Sequence, residues 1–180
     1  PLDTVFPPEA HAKLSGWQTV REGYKTDGAI LALPYGAGSY FYIFYRPSLF
    51  AEAGVEFVEP KTWEELVAQA TVINQPPLHG LGLALSNVGD ANLQVAVLQS
   101  YGGRIADDAG KMVTIDSPET RLWLTWLKDA WDKGLFAPGN TTWDGAGDNQ
   151  AYLSGQVGFI ANTGSVGIAA KKDDPELFEA

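Results

Sequence analysis

Side chains that could carry out covalent chemistry are scarce in this sequence of 180 residues. It contains no cysteine, which removes thiolate catalysis, disulfides and cysteine-ligated metals, and its two histidines are His11 and His79. A serine nucleophile needs a nearby base. The segment TGSVG around Ser165 follows a predicted strand but lacks the first glycine of the G-x-S-x-G nucleophile motif. Ser165 is therefore interpreted as a turn or ligand contact rather than a nucleophile.

Acidic residues are abundant, with 22 Asp and Glu against 12 Lys and Arg. A glycosidase needs two carboxylates facing each other across a sugar, and among so many acids a pair can always be nominated, so the abundance has little specificity. Asp144 and Asp148 lack the surrounding twelve-residue calcium loop and are interpreted as solvated turn carboxylates. The glycine turns at Gly36 and Gly145 lack a phosphate-cradling motif. We expect neither a metal nor a cofactor.

Aromatic side chains are more informative, because Trp and Tyr offer flat faces that can cover the C–H face of a sugar. Trp123, Trp126 and Trp131 recur at helical spacing and are predicted to be core residues. Trp143 instead lies in the polar loop NTTWDG, where no periodicity explains a large aromatic. Ligand binding and packing are equally open for Trp143, and also for Tyr35 beside a glycine-rich turn.

The charge balance limits the partners. A net charge of −10 repels phosphate backbones and anionic lipid surfaces, so nucleic acid is not expected as a partner. No stretch approaches the roughly twenty apolar residues that a membrane span requires. With 45% hydrophobic residues the composition is that of a globular protein, and we expect a monomer.

The elements that would position these residues alternate along the chain. Thr62 with Glu65 forms a capping box, and Ser117 precedes Pro118 at a second helix start. Aromatic residues 38–46 predict a central strand covered on both faces. The remaining segments are predicted as short strands at 29–33, 81–85, 112–115 and 157–161, and as helices at 48–53, 91–101 and 149–153. Such alternation predicts an α/β or mixed α+β architecture.

Six segments, in this order, resemble the family-1 extracellular solute-binding proteins of ABC importers, the maltose-binding-protein-like carbohydrate receptors. The PKTWEEL segment resembles the family's P-x-T-W-d-E-l signature, and the others resemble its further conserved elements. Two departures are Arg46, where the family usually has Asn, and Ser165, near a common tryptophan. The six segments are DGAILALP at 27–34, YRPSLFAEAG at 45–54, PKTWEEL at 60–66, GG at 102–103, IDSPE at 115–119 and LSGQVGF at 153–159.

The resemblance implies a type II periplasmic-binding-protein-like α/β fold with two lobes. The family is about twice as long as this chain, so the chain resembles a fragment that holds mainly the second lobe, with a short part of the first lobe and the hinge. Residues 1–34 would end the first-lobe segment and approach the hinge, and residues 35–180 would form the incomplete second lobe. A solute would bind between the lobes and be delivered to the membrane permease, without chemistry on the solute.

The resemblance also suggests a ligand site at the strand ends of the α/β lobe. Asp90 and Asp144 would accept hydrogen bonds from sugar hydroxyls, and Trp143 would supply a stacking face. Ordinary loop capping is an alternative role for each of the polar residues. The candidate ligand-binding residues are Tyr35, Gly36, Asn87, Asp90, Trp143, Asp144, Asn162, Thr163 and Ser165.

The expected function is thus capture of a carbohydrate or related small solute, in the periplasm or outside the cell, with a lipid anchor as an option for the full-length protein. The protein is not expected to be an enzyme. A carbohydrate-active enzyme such as a glycoside hydrolase, or a lectin-like sugar-binding module, is the alternative.

Overall fold

The computed structural model describes Glu9, residues 25–26 and 29–30, and residues 42–179. The chain divides into two compact units, residues 1–39 and 40–180. In the first, strands β1 (Lys25–Thr26) and β2 (Ala29–Ile30) form an antiparallel pair. The predicted strand 29–33 lies mostly outside the described residues. The predicted boundary after residue 34 also lies there and stays a prediction.

The described part of the second unit contains a three-stranded sheet and seven α-helices. The strands are β3 (Tyr42–Tyr45), β4 (His79–Leu81) and β5 (Val157–Asn162), in the order β3-β5-β4. The helices are α1 (Pro47–Glu52), α2 (Trp63–Ile73), α3 (Leu93–Ser100), α4 (Pro118–Asp132), α5 (Gly147–Leu153), α6 (Ser165–Asp173) and α7 (Pro175–Glu179), and a 3-10 helix spans Gly89–Asn92. In this part, no helix has the length and apolar character needed to cross a membrane.

Strand β5 is the centre of the sheet. It is parallel to β4, with Leu81 opposite Phe159, and antiparallel to β3, with Tyr42 opposite Asn162. All six of its residues are buried, as its apolar sequence VGFIAN predicts. Because β4 and β5 are parallel, their carboxyl ends lie at the same edge, and the segments after Leu81 and Asn162 begin there.

The core lies on both sides of β5. Phe159 and Ala161 pack in a large cluster with residues of α1, α2, α3 and α4, and Ile160 packs in a smaller cluster with residues of α5 and α6. The parallel strand β4 approaches α2 closely, because a Cβ at Gly80 would lie 2.5 Å from the carbonyl oxygen of Ala70. These contacts hold the helices against the sheet.

The helix signals in the sequence are confirmed. Thr62 caps α2 as predicted by accepting a hydrogen bond from the Glu65 backbone N–H, whereas the Glu65 carboxylate accepts from the N–H of Lys61 and not from that of Thr62 as a capping box requires. Ser117 likewise caps α4 by accepting from the backbone N–H of Thr120, at 3.2 Å. Helix α4 is followed by Gly134, whose φ of +65° suits glycine and closes the helix where predicted.

The strand predictions are corrected in three places. Within residues 42–179, β3 lies at the edge of its sheet and exposes Tyr42 and Ile43, because aromatic composition suits edge strands as well as central ones. Strand β4 begins and ends earlier than the predicted 81–85. The predicted strand 112–115 is reduced to one bridge between Ala106 and Val113.

One prediction about the core is also wrong. Trp126 is buried and donates its indole N–H to the Trp63 carbonyl oxygen, and Trp123 is partly buried. Trp131 is 52% exposed, although its ring centroid lies 6.0 Å from that of Phe136. The buried face of α4 is narrower than the tryptophan spacing indicates, so Trp131 lies near the edge of the apolar stripe.

Candidate polar site at the strand ends

A buried hydrogen-bonded pair lies at the carboxyl end of β5. Asn162 is the last residue of the strand, and its Nδ2 donates to Oδ2 of Asp148 across 2.8 Å. Both residues are 2% exposed. An ionised carboxylate can only accept, so the amide of Asn162 must turn its NH₂ group toward Asp148 and its oxygen away.

The oxygen of that amide lies within hydrogen-bond distance of two hydroxyl groups. Ser165 Oγ donates to Asn162 Oδ1 at 2.9 Å. Thr163 Oγ1 lies 3.4 Å from the same oxygen and 3.3 Å from Ser165 Oγ, and its single proton is donated to one of the two. Ser165 is exposed and Thr163 half-buried, so this group connects a buried carboxylate to the surface.

Asp90 adds a second carboxylate near this group. It lies in the 3-10 helix that follows β4 and is half-buried. Burial raises the pKa of Asp148, the hydrogen bonds from Asn162 and the Asn149 backbone N–H lower it, and the charge of Asp90 raises it again. The charge of Asp90 therefore acts on the carboxyl of Asp148.

Trp143 and Asp144 line a different feature. The Trp143 carbonyl oxygen accepts from Ser86 Oγ at 2.7 Å, and the ring packs partly buried against the smaller core cluster. Both residues line an open pocket of about 420 Å³ together with Gln150 and Gln156. Trp143 therefore contributes to packing and also presents part of its surface to this pocket.

The remaining candidates are placed as follows. Asn87 is exposed in the loop between β4 and the 3-10 helix. Tyr35 and Gly36 lie outside the described residues. The structure thus brings together Asn162, Thr163 and Ser165, while their role in ligand binding stays a prediction.

Asp148 was missed as a site residue, and its interpretation as a solvated turn carboxylate is wrong. Helix α5 and strand β5 are joined by a short turn and run in opposite directions, so the first residues of the helix lie beside the last residues of the strand. That geometry is the signal that could have paired Asp148 with Asn162. Asp144 is exposed and accepts from the Ala146 N–H, as expected of a turn carboxylate.

In the described part of the chain, no three His, Asp or Glu side chains gather in a way that could hold a metal ion. Ser165 donates to an amide oxygen, which is not a base, and therefore lacks the activation that a nucleophile requires. The site can accept and donate hydrogen bonds.

Comparison with known proteins decides the family. The family described as bacterial extracellular solute-binding protein matches residues 2–180. The chain belongs to this family. Its members are extracellular by description, which gives the protein a periplasmic or extracellular location.

Individual relatives agree with this membership. The chain is 32% identical over 90 residues to YcjN of Escherichia coli (strain K12), named as an ABC transporter periplasmic-binding protein, covering 48% of the chain and 20% of YcjN. Maltose-bound T. maritima MalE3 matches with a TM-score of 0.68 and 26% identity, over 89% of this chain and 40% of MalE3. A solute-binding protein from Agrobacterium vitis S4 with bound D-mannitol matches with a TM-score of 0.71 and 23% identity, over 99% of this chain and 43% of that protein.

These matches confirm a type II periplasmic-binding-protein fold, present in part. The chain spans less than half the length of each of these three proteins. The α/β architecture around β5 belongs to that fold.

Proposed function

We propose that the protein is the substrate-binding component of an ABC transporter, and that it captures a carbohydrate or related hydroxyl-rich solute and delivers it to the membrane permease. The observation that carries the proposal is the polar group at the carboxyl ends of β4 and β5, in a chain of the solute-binding family. Ligands of open α/β sheets bind at such strand ends.

The chemistry of the polar group favours a solute with many hydroxyls. Ser165 and Thr163 direct their protons toward protein oxygens, so lone pairs are left for a ligand, and Asp90 adds a carboxylate acceptor. A sugar or polyol supplies the matching O–H donors. MalE3 with maltose and the Agrobacterium vitis protein with D-mannitol are relatives whose solutes have this chemistry.

The proposed mechanism is binding without reaction. The solute would bind between two lobes and favour their closed arrangement, because its contacts with both lobes are made together only when the lobes close. The permease would then recognise the closed form. This chain would supply one wall of the cleft, including Asp90, Asn162, Thr163 and Ser165, with Asn87 as a further contact.

Trp143 and Asp144 would belong to a separate part of the ligand surface. Their open pocket also contains the amides of Gln150 and Gln156, which can bond hydroxyls in any orientation. We propose that a longer solute reaches this pocket and covers the exposed part of the Trp143 ring.

The protein is proposed to be monomeric, to bind no nucleic acid and to catalyse no reaction on its solute. The net charge of −10 supports the proposal that the protein binds no nucleic acid. A lipid anchor on the full-length protein is proposed as one way to keep it near the permease.

A thermal-shift experiment tests the function. The full-length protein is melted alone and with maltose, D-glucose, D-mannitol or glycerol 3-phosphate, and each mixture is then analysed for products. We expect one neutral solute to raise the melting temperature by several degrees and to be recovered intact, because a ligand that binds the native state stabilises it. Cleaved maltose would contradict the proposal and favour a glycoside hydrolase.

A further inference from the structure

Asp148 has a hydrogen-bonding role that the binding function alone does not explain. It is buried, it lies behind the residues proposed to touch the solute, and its two oxygens accept from two different donors. Oδ2 accepts from Asn162 Nδ2 and Oδ1 accepts from the Asn149 backbone N–H, each at 2.8 Å. A buried carboxylate with both oxygens bonded is costly to desolvate, and its partners are held in one orientation.

We propose that Asp148 is a positioning residue that determines which hydrogen-bonding groups the strand-end site offers to a ligand. It holds the Asn162 amide with Oδ1 facing Ser165 and Thr163, so Ser165 donates its proton to this oxygen and Thr163 donates its proton to this oxygen or to Ser165 Oγ. Their remaining lone pairs then face the ligand, so the site accepts hydrogen bonds from neutral hydroxyl-rich solutes. This inference about which solutes the site accepts rests on the proposed function.

The reversed amide shows why Asp148 matters. If the Asn162 side chain were turned over, its NH₂ group would face Ser165, and the hydroxyl of Ser165 would accept from it and point its own proton outward. The same residues would then donate to a ligand. The Asp148 carboxylate prevents this reversal. The reversed amide would place the Asn162 oxygen against the Asp148 carboxylate, and two buried hydrogen-bond acceptors would then face each other without a proton between them.

The local charges favour the same class of ligand. Asp148 and Asp90 each contribute a carboxylate, whereas the first turn of α6, which begins at Ser165, contributes about half a positive charge from its backbone N–H groups. The negative groups outweigh the helix terminus. An anionic phosphoester is therefore disfavoured relative to a neutral polyol.

The pair offers a matched set of variants. In Asp148→Asn, the amide at position 148 can keep its oxygen toward the Asn149 N–H and donate its NH₂ group to a reversed Asn162, whose own NH₂ group then faces Ser165. In Asn162→Asp, two carboxylates meet in a buried place. In the double variant Asp148→Asn/Asn162→Asp, the amide at position 148 accepts from the Asn149 N–H and donates to the carboxylate at 162, whose second oxygen still accepts from Ser165.

The test is calorimetric titration of the full-length protein with maltose, D-mannitol and glycerol 3-phosphate. We expect each single variant to weaken binding of the responding neutral probe by at least about tenfold, because Asp148→Asn lets the Asn162 amide reverse and Asn162→Asp opposes two buried carboxylates. The double variant should recover wild-type affinity. Asp132→Asn, which makes the same charge change on exposed α4, should bind like wild type.

Three results would overturn the inference in this titration. Wild-type affinity in folded Asp148→Asn protein would exclude the positioning role, and so would a folded double variant that does not recover affinity. A purely structural effect would lower the melting temperature, but affinity would not return when the two side chains are exchanged. Tighter binding of glycerol 3-phosphate than of either neutral probe would contradict the lone-pair assignment.

Absence of binding by all three probes would count against the proposed function for these solutes, and a second measurement would then decide the positioning role. In NMR spectra, the side-chain NH₂ protons of Asn162 should exchange with water at least about tenfold faster in Asp148→Ala than in wild type, because they lose a buried acceptor. Equal exchange rates in the two proteins would overturn the positioning role.

Discussion

At the scale of single residues, Asp148 connects the proposed site to the stability of the fold. Burial holds the pKa of its carboxyl above the ordinary value of 3.8, and the charge of Asp90 adds to this effect. The native state therefore binds a proton that the unfolded chain has already released when the pH passes 3.8. Ionisation of Asp148 is tolerated because Asn162 and the Asn149 N–H bond the carboxylate.

This gives a prediction about pH. Since the raised pKa belongs to the folded state, the contribution of Asp148 to the free energy of unfolding should fall as the pH rises from 3.8 through the raised pKa. The Asp148→Asn variant has no titratable carboxyl at this position and therefore lacks this pH-dependent contribution. Unfolding of wild type and variant in urea across this pH range measures the difference, and a difference that grows in favour of wild type as the pH rises would contradict the burial effect.

Tyr101 and Glu64 give a prediction of opposite sign. Tyr101 Oη donates to the Glu64 carboxylate, which lowers the pKa of Glu64 below 4.5. Burial, together with the hydrogen bond to Glu64 and the charge of Glu64, raises the pKa of Tyr101. We expect Tyr101→Phe to cost about 0.5 kcal/mol at pH 7, since the bond is partly solvated, and less as the pH falls through the lowered pKa.

A double-mutant cycle with Glu64→Gln measures this pair. The coupling free energy at pH 7 should exceed that at a pH low enough to protonate Glu64 in the folded state as well. Equal coupling at the two pH values would show that the charge of Glu64 plays no part.

At the scale of elements, the packing of α2 on β4 depends on one glycine. A Cβ at Gly80 would lie 2.5 Å from the Ala70 carbonyl oxygen and 2.8 Å from its Cβ, so the helix would have to move away from the sheet. We expect Gly80→Ala to lower the free energy of unfolding by about 1–3 kcal/mol, the usual range for overpacking. Urea unfolding measures the loss.

Gly145→Ala is the matched control, because a Cβ there meets nothing within 4 Å. It should change the free energy of unfolding by less than about 0.5 kcal/mol, as an uncrowded substitution outside the core. A similar loss in both variants would mean that helix–sheet contact is not what Gly80 provides.

The elements also show what could be predicted from the sequence. Thr62, Ser117 and Gly134 mark helix ends through bonds and angles formed within a few residues, and these predictions are confirmed. The bounds of β4 and the edge position of β3 depend on pairing with β5, which is distant in the chain, so local composition could not specify them. The prediction that Trp131 is a core residue is wrong for the same reason, since the elements packed against α4 determine which of its faces is buried.

The residues of the site also differ in how far the sequence could predict their positions. The proximity of Asn162, Thr163 and Ser165 follows from their position after one strand and could be predicted, whereas the part of Asp148 required knowing that α5 returns beside β5. Trp143 stood out as an aromatic in a polar loop, but the structure gives it a packing role together with an open pocket.

At the scale of the whole molecule, the chain spans part of the solute-binding fold and includes the carboxyl ends of the parallel strands β4 and β5. It spans less than half the length of MalE3 and of the Agrobacterium vitis protein, so the rest of a two-lobe cleft would come from further lobe structure. A solute contact made here is expected to be necessary for binding, because both walls contribute to the closed state.

The most direct test of the proposed site is the affinity of the full-length protein for its neutral solute, measured by calorimetric titration with maltose and D-mannitol before and after Asp90→Asn. We predict saturable binding of intact solute in wild type and a loss of at least about tenfold in the variant, since hydrogen bonds to a charged group contribute about 1.5–3 kcal/mol. Equal affinity of wild type and Asp90→Asn would contradict the placement of the binding site at the ends of β4 and β5.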